Sequence, residues 1–483
     1  MKKKYFALFL ALLTVLTPLV SCKKDNGKGN DTTQETIDLD YNDGYDYGKL
    51  DCGNEDFTFL QCYDDTYGMK TALTPENGET GDEFSDAVYS RNVKLGTLYN
   101  VNFKCITRDI EETADFVRTQ CMGGDEAVDA AFVMGMKISG LIGEGLLNDI
   151  AAMPDIQIYE PWWGQTIREE SQFGGASTLY FAQSDISVTG FELTWGVVFN
   201  IARITALDME NPYDLVENKQ WTMNKLFEMA KDGMQPNPDD SYTYNEDTSC
   251  ILGLVTYNNF AMAALNGAGC FLTRKNDIGM PVFTGEGERF SDVVERYATA
   301  FNTPGMMKHA NDEGFHYEDI FAKQRALFAG VEVKATAKFR ATGIEYGLVP
   351  VPMYDSNQET YYSNVNRATP LLVIPNTNTN ADKTGRILDT MAYLSYKELL
   401  PVYYESCLSY KQLGTLQASK MLDIIRDTRC FETSLVYGWT TDYYLEIRSI
   451  MTGYSATTTA TSAIRQYKEA ITTTLTAFIA SLK

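Results

Sequence analysis

The spacing of apolar positions changes along this chain from two to nearly four residues and back. DFTFLQCY, residues 56–63, has the β-prone composition of a strand, and after a polar loop DEFSDAVYSRNVKLGTLYN places Phe84, Val88, Leu95 and Leu98 at helical spacing. VNFKCI then alternates Val101, Phe103 and Cys105, the period of a strand. A helix near 110–122, a strand over DAAFVMG (129–135) and a helix carrying Ile138, Leu141, Ile142 and Leu146 come next. Strands alternating with helices predict βαβ units and a mainly parallel sheet.

A second α/β series follows. TWGVVFN (194–200) is a short apolar strand, and Thr222 is placed to cap the helix MNKLFEMAKDGM. YGLVPVP (346–352) and PLLVIPN (370–376) read as buried strands ended by proline, and a helix over about 380–398 presents Ile387, Leu388, Met391 and Leu394. At the end of the chain Ile464, Tyr467, Ile471, Leu475, Phe478 and Leu482 form one stripe opposite Thr and Lys, a long amphipathic helix. Its polar face is Thr-rich rather than basic, which favours docking on the core over membrane contact. No internal repeat of fixed period is present.

The first fifty residues follow neither period. Lys2, Lys3 and Lys4 precede an apolar run from Phe6 to Val20, broken only by Thr14, Thr17 and Pro18. That is the layout of a secretory signal, shorter than the roughly 20 residues of a membrane-spanning helix. Leu19-Val20-Ser21-Cys22 resembles the lipobox of bacterial lipoproteins, in which the cysteine takes a lipid and becomes the first residue of the mature chain; the alternative is an ordinary cleavage site beside a cysteine. Residues 1–21 are thus expected to be a signal peptide. Residues 22–51, rich in Asp, Asn, Gly and Thr, are expected to be a disordered tether.

Charge narrows the partners. The formal net charge is −24, and six lysines lie in the signal and its flank, so the remainder is more acidic still. Nucleic acid and anionic membrane surfaces would be repelled. Apart from Cys22, eight cysteines remain, and the separations 52/62, 105/121, 250/270 and 407/430 allow local disulfides or free thiols alike.

Catalytic and cofactor signatures are missing from the sequence. It has no P-loop, no Gly-x-Ser-x-Gly elbow, no His-Glu-x-x-His pair and no Cys-x-x-Cys. His309 and His316 in HANDEGFH read as part of a solvated loop rather than a metal site. No cofactor, metal or catalytic residue is therefore assigned. The 30 Tyr, 24 Phe and 5 Trp point elsewhere, because flat rings stack on sugar C–H faces while Asp, Asn, Glu and Arg bond the hydroxyls. The adjacent pair Trp162 and Trp163 reads as packing first. A surface carbohydrate hydrolase working through two carboxylates stays open as an alternative.

Several stretches, in consistent order over about 50–440, resemble one family. They are GDEFSDAVYSRN, VDAAFVMGMKISGLIGEGLLNDI, EPWWGQT with LYFAQSDIS, NPYDLVENKQWTMNKLFEMAKDG, YGLVPVPMYDSNQETYY and PLLVIPNTNTNADKTGRILDTMAYLSY. Together they resemble an extracellular solute-binding lipoprotein of an ATP-binding-cassette (ABC) importer, in the broad family of maltose- and oligosaccharide-binding proteins. The resemblance implies an α/β, two-lobed, periplasmic-binding-protein-like fold of type II: 52–187 with 366–435 as lobe 1, and 188–365 with 436–483 as lobe 2. It implies a monomer that is no enzyme, holds a small solute such as a sugar in its cleft, and hands it to permease subunits in the membrane; a ligand-presenting sensor accessory is the other role it allows. The family places its cleft at the carboxyl ends of strands and near the hinge. On that basis Tyr67, Trp195, Tyr257 and Trp439 are expected to stack on ligand, and Asp185, Glu332 and Arg367 to bond hydroxyls. Met134 and Gly135 follow the third strand and complete the expected site.

Overall fold

Two sheets organise the chain. The computed structural model describes residues 43–483 apart from 66–68, 75–80, 246, 310–315, 409–415, 454–457 and 482–483, and only the backbone of 309 and 405–408. Cys22, Tyr67 and Leu482 lie outside the described residues. The first sheet is founded on β1 (Glu55–Asp64), β2 (Val101–Asp109) and β3 (Ala130–Met134). β1 runs parallel to β2, from Glu55 opposite Val101 to Tyr63 opposite Asp109, and parallel to β3 on its other side. β3 is AAFVM, buried along its whole length, as a strand covered on both faces must be. The helix α1 (Glu83–Tyr99) joins β1 to β2. It starts where the Asp82 carboxylate accepts the Ser85 N–H at 2.8 Å and stops at Asn100, which is left-handed with φ 51°.

The second sheet holds β4 (Trp195–Asn200), β5 (Leu252–Thr256), β6 (Met307–His309), β7 (Ala326–Glu332) and β8 (Tyr346–Val349), in the order β8-β4-β7-β5-β6. β9 (Pro370–Val373) then returns to the first sheet beside β3. The sheets are mixed rather than mainly parallel: β4 opposes both its neighbours and β9 opposes β3. Both strands enter their sheets from the other lobe instead of through a helical crossover, so the rule that makes successive strands parallel does not act on them. Each lobe has its own apolar core, around Leu60, Val133 and Leu371 in one and Val198, Leu254 and Phe328 in the other.

Three segments run side by side between the lobes. Thr194 bridges Val365, Asn366 donates its N–H to the Leu193 carbonyl at 2.9 Å, and Ser363–Asn364 pairs in parallel with Arg429–Cys430. The helix Leu416–Asp427, allotted to lobe 1 by the sequence, packs on β8 of the second sheet through the apolar side of Met421, Leu422 and Ile425. Thr222 caps Met223–Gly233 by accepting the Lys225 N–H at 3.3 Å. The helix expected over 380–398 is Ala381–Leu394, continued by a π-helical turn, Ser395–Leu399. The terminal helix Ala460–Ser481 docks on the second lobe's core through Ala463, Ile471 and Leu475.

One reading of the sequence changes at this level, and one that it left open is decided. Residues 43–51, expected within the tether, lie on lobe 1, because Tyr45 and Tyr47 supply buried aromatic area where aliphatic side chains are missing. Tyr45 stacks on Tyr393 at 4.1 Å between ring centroids and donates its hydroxyl to Asp389 at 2.7 Å. The seven cysteines with described side chains are free thiols, so 52/62, 105/121 and 250/270 are unbridged. Burial pushes the Cys62 thiol up to about 12 and the Cys270 thiol up to about 11, which keeps both protonated and unreactive.

Candidate functional site

Strands from both sheets end on one cavity of about 400 Å³. Asp64 and Met134 close β1 and β3 of the first lobe on one side of it; Glu332 closes β7, and Tyr257 follows β5, on the other. The crossing segments supply Leu193, Asn366 and Arg367 between them. A crevice at the carboxyl ends of strands is where open α/β sheets expose unpaired backbone and loop side chains to a ligand.

Register sets the centre of the site. Glu332 on β7 lies opposite Trp195 on β4, so one antiparallel pair delivers a carboxylate and an indole to the same wall. Glu332 is 6% exposed. Its Oε1 accepts from Asn366 Nδ2 at 2.6 Å, and Lys334 Nζ stands 3.4 Å from Oε2. Burial raises the Glu332 pKa against the opposing pull of Lys334 and Asn366. A carboxylate can accept about four hydrogen bonds, so this one keeps capacity for donors arriving through the cavity.

Arg367 is positioned by a glycine. The Gly135 N–H donates to the Thr369 carbonyl and the Met136 N–H to the Arg367 carbonyl, both at 3.1 Å. A Cβ on residue 135 would stand 2.9 Å from the Arg367 carbonyl oxygen, so the two segments approach this closely only with glycine there. The Arg367 guanidinium lies over the Tyr444 ring, 5.2 Å from its centroid, and burial lowers its pKa. On the second-lobe side, Tyr317 donates to Glu318 at 3.2 Å, and Lys338 is held by Asp319 at 2.7 Å and Glu318 at 3.5 Å.

Of the residues expected from the sequence, Met134, Trp195, Tyr257, Glu332 and Arg367 line this one cavity. Gly135 sits behind it as the close-approach residue just described. Trp195 is 1% exposed and meets Phe260 edge-on at 5.7 Å, so only a sliver of the ring faces the cavity. Asp185 lies instead in a separate groove of about 290 Å³ with Trp162, Arg426 and Arg429, where burial pushes its carboxyl up to about 6. Trp439 is likewise elsewhere, stacked on Tyr437 at 4.6 Å and closed over by Phe478 of the terminal helix. Both follow from chain crossings that a linear reading cannot orient.

Asn259, Asn366, Tyr317 and Lys334 line the cavity without having been singled out. Asn366 and Lys334 had a readable signal, since each lies within two residues of one that was chosen. Tyr317 had none: it opens a short helix after a polar stretch of sequence, and only the tertiary fold turns that helix toward β7. Among the described residues no group of three or more His, Cys, Asp or Glu is placed to hold a metal ion. None of the described helices is long and apolar enough to cross a membrane.

Two α/β lobes, crossing segments and a cavity between the strand ends define the two-lobed architecture of the maltose-binding-protein-like solute-binding fold. Solved structures share it. An ABC substrate-binding protein from Listeria monocytogenes in complex with cycloalternan aligns over 87% of this chain and 99% of its own, with TM-score 0.57 and 11% identity. The cyclic alpha-maltosyl-1,6-maltose binding protein of Arthrobacter globiformis aligns over 88% and 99%, with TM-score 0.57 and 12% identity. An ABC transporter solute-binding protein of Thermotoga lettingae bound with alpha-D-tagatose aligns over 87% and 100%, with TM-score 0.54 and 14% identity. No family model and no curated protein matches the sequence.

Proposed function

We propose that this chain is an extracellular, lipid-anchored solute-binding protein that captures a sugar or oligosaccharide between its lobes and delivers it to an ABC permease. The observation that carries the reading is the cavity of about 400 Å³ into which Glu332, Asn366, Tyr257 and Arg367 converge from both lobes and the crossing segments. The structural neighbours solved with cycloalternan and with alpha-D-tagatose, and the one named for binding a cyclic maltosyl-maltose, support the choice of ligand. A solute touching both lobes binds the closed arrangement better than the open one, and that differential affinity is what closes the cleft. The closed shape is then the form a permease reads. Catalysis has no part in this scheme.

The lobes proposed are 52–187 with 366–435 and 188–365 with 436–483, with the helix Leu416–Asp427 riding on the second. Cys22 carries the lipid in this reading. The tether then runs from Cys22 to the docked Tyr45, and its length sets the effective concentration of the protein at the permease. Titration of purified protein with mono- and oligosaccharides, followed by tryptophan fluorescence, is expected to saturate for at least one sugar, since Trp195 forms part of the wall. Silence across sugars, peptides and polyamines overturns the reading, and an unmodified Cys22 in the membrane-extracted protein overturns the anchor alone.

A further inference from the structure

The charged groups around the cavity are unevenly matched. Four carboxylates line it, Asp64, Glu111, Glu318 and Glu332, and each is engaged within the protein: Glu332 has Asn366 and Lys334, Glu318 has Tyr317 and Lys338, and Glu111 has Lys137 at 2.5 Å. Glu432 shares with Arg367 a void of about 20 Å³ behind Trp195, and it accepts from the Leu272 N–H at 2.8 Å and Ser434 Oγ at 2.7 Å. Two of the three cavity cations, Lys334 and Lys338, are held by these same acids.

Arg367 is the exception. Among the described residues no carboxylate lies in ion-pairing range of its guanidinium and no acceptor meets its N–H groups; its neighbour is the Tyr444 ring. Arg448 stands over the same ring at 5.9 Å and spends one N–H on Asn259 Oδ1 at 3.0 Å, also with no carboxylate paired to it among the described residues. Arg367 at the cavity, with Arg448 behind it over the same ring and, among the described residues, no carboxylate in ion-pairing range of either, makes a positive corner at one end of a cavity otherwise lined by acids and the lysines they hold. A planar fork of five donors fits a carboxylate or sulfate better than scattered hydroxyls.

Resting on the solute-capture reading above, we propose that the solute carries an anionic group at one end, a uronate-type carboxylate or a sulfate, and that Arg367 is the residue that selects it. Glu332 and Asn366 then take neutral hydroxyls farther along the cavity. The single positive corner predicts one anionic group per bound ligand, because a second would meet Glu318 or Glu332.

Calorimetric titration with glucuronate- and galacturonate-terminated di- and trisaccharides, beside their neutral glucose- and galactose-terminated counterparts, tests this. The acidic member of a matched pair is expected to bind roughly 10- to 100-fold tighter, the range of a hydrogen bond to a charged group. The preference should shrink with rising ionic strength. Arg367→Gln should abolish it and Arg367→Lys should keep part of it, with thermal unfolding of the unliganded protein as the control for folding. Equal affinity, a preference for the neutral sugar, or a preference that survives Arg367→Gln overturns the proposal and leaves solute capture standing. Failure of both series to bind overturns the acidic-sugar proposal and leaves solute capture to the wider panel of sugars, peptides and polyamines.

Discussion

Two carboxylates, Asp389 in the first lobe and Glu332 in the cavity, are both buried and differently provided for. Asp389 is 0% exposed and accepts five hydrogen bonds: from Tyr45 Oη at 2.7 Å, the Gln157 N–H at 2.8 Å and its Nε2 at 3.2 Å, Trp162 Nε1 at 3.1 Å and Trp163 Nε1 at 2.8 Å. No cation is among these donors. Its charge is spread over neutral dipoles that tie the N-terminal segment, the loop before Gly164 and the helix Ala381–Leu394 into one unit. Glu332 has one amide donor and one lysine at 3.4 Å, with the cavity beside it. A saturated carboxylate is a structural pin, whereas an under-supplied one at a cavity wall is an acceptor held in readiness.

The largest effect expected from that contrast is at the pin. Asp389→Ala strands the two indole N–H groups and takes the acceptor from the Gln157 backbone N–H and Nε2, leaving Tyr45 only Thr390 at 3.1 Å, and should lower the unfolding free energy by about 3–5 kcal/mol in denaturant melts. A loss below about 1 kcal/mol would break the distinction. Glu192 tests an intermediate case. Burial pushes its carboxyl up to about 7 against the pull of Lys334 and Tyr403, so the folded protein disfavours its ionised form. That penalty is absent at pH below the unfolded value near 4.5 and complete above about 7. Glu192→Gln should therefore stabilise the protein by about 2–3 kcal/mol at pH 8 and hardly at all at pH 4.5, measured as a difference between the two melts.

At the cavity the sign expected for stability is opposite to that at Asp389. Glu332→Gln keeps the contact with Asn366 and removes a buried charge, so stability at pH 7 should hold or rise slightly. Affinity for whichever sugar saturates the fluorescence titration should fall by roughly 10- to 100-fold. A fall in stability with affinity intact would make Glu332 a second pin. The smallest effect is Tyr45→Phe: one donor of the five at Asp389 is lost, and about 1 kcal/mol of stability with it, while sugar affinity stays unchanged.

Most of the secondary structure was legible because local periodicity carries it. The strands at 55–64, 101–109 and 195–200 and the helices at 83–99, 223–233 and 460–481 all sit where apolar spacing, or the Thr222 cap, put them. The helix expected to carry Ile138 through Leu146 is shorter, Ile138–Gly143, because Gly145 takes φ 69° and ends the turn. Strand direction was not legible for β4 and β9, which are apolar runs like their neighbours and differ only in where the chain comes from.

The division between sequence and structure follows the range of the forces involved. Hydrophobic period, capping residues and the apolar run before Cys22 act over a few residues, so the sequence alone determined the α/β class, the two series of elements and the expectation of export. Which aromatic lies in the cavity depends on contacts between residues far apart in the chain. Trp439 is drawn onto Tyr437 and Phe478, and Trp162 and Trp163 are spent on Asp389 more than 220 residues away. The register that sets Glu332 opposite Trp195 exists only once the second sheet has assembled, and the close approach at Gly135 that presents Arg367 only once the chain has crossed back to the first lobe.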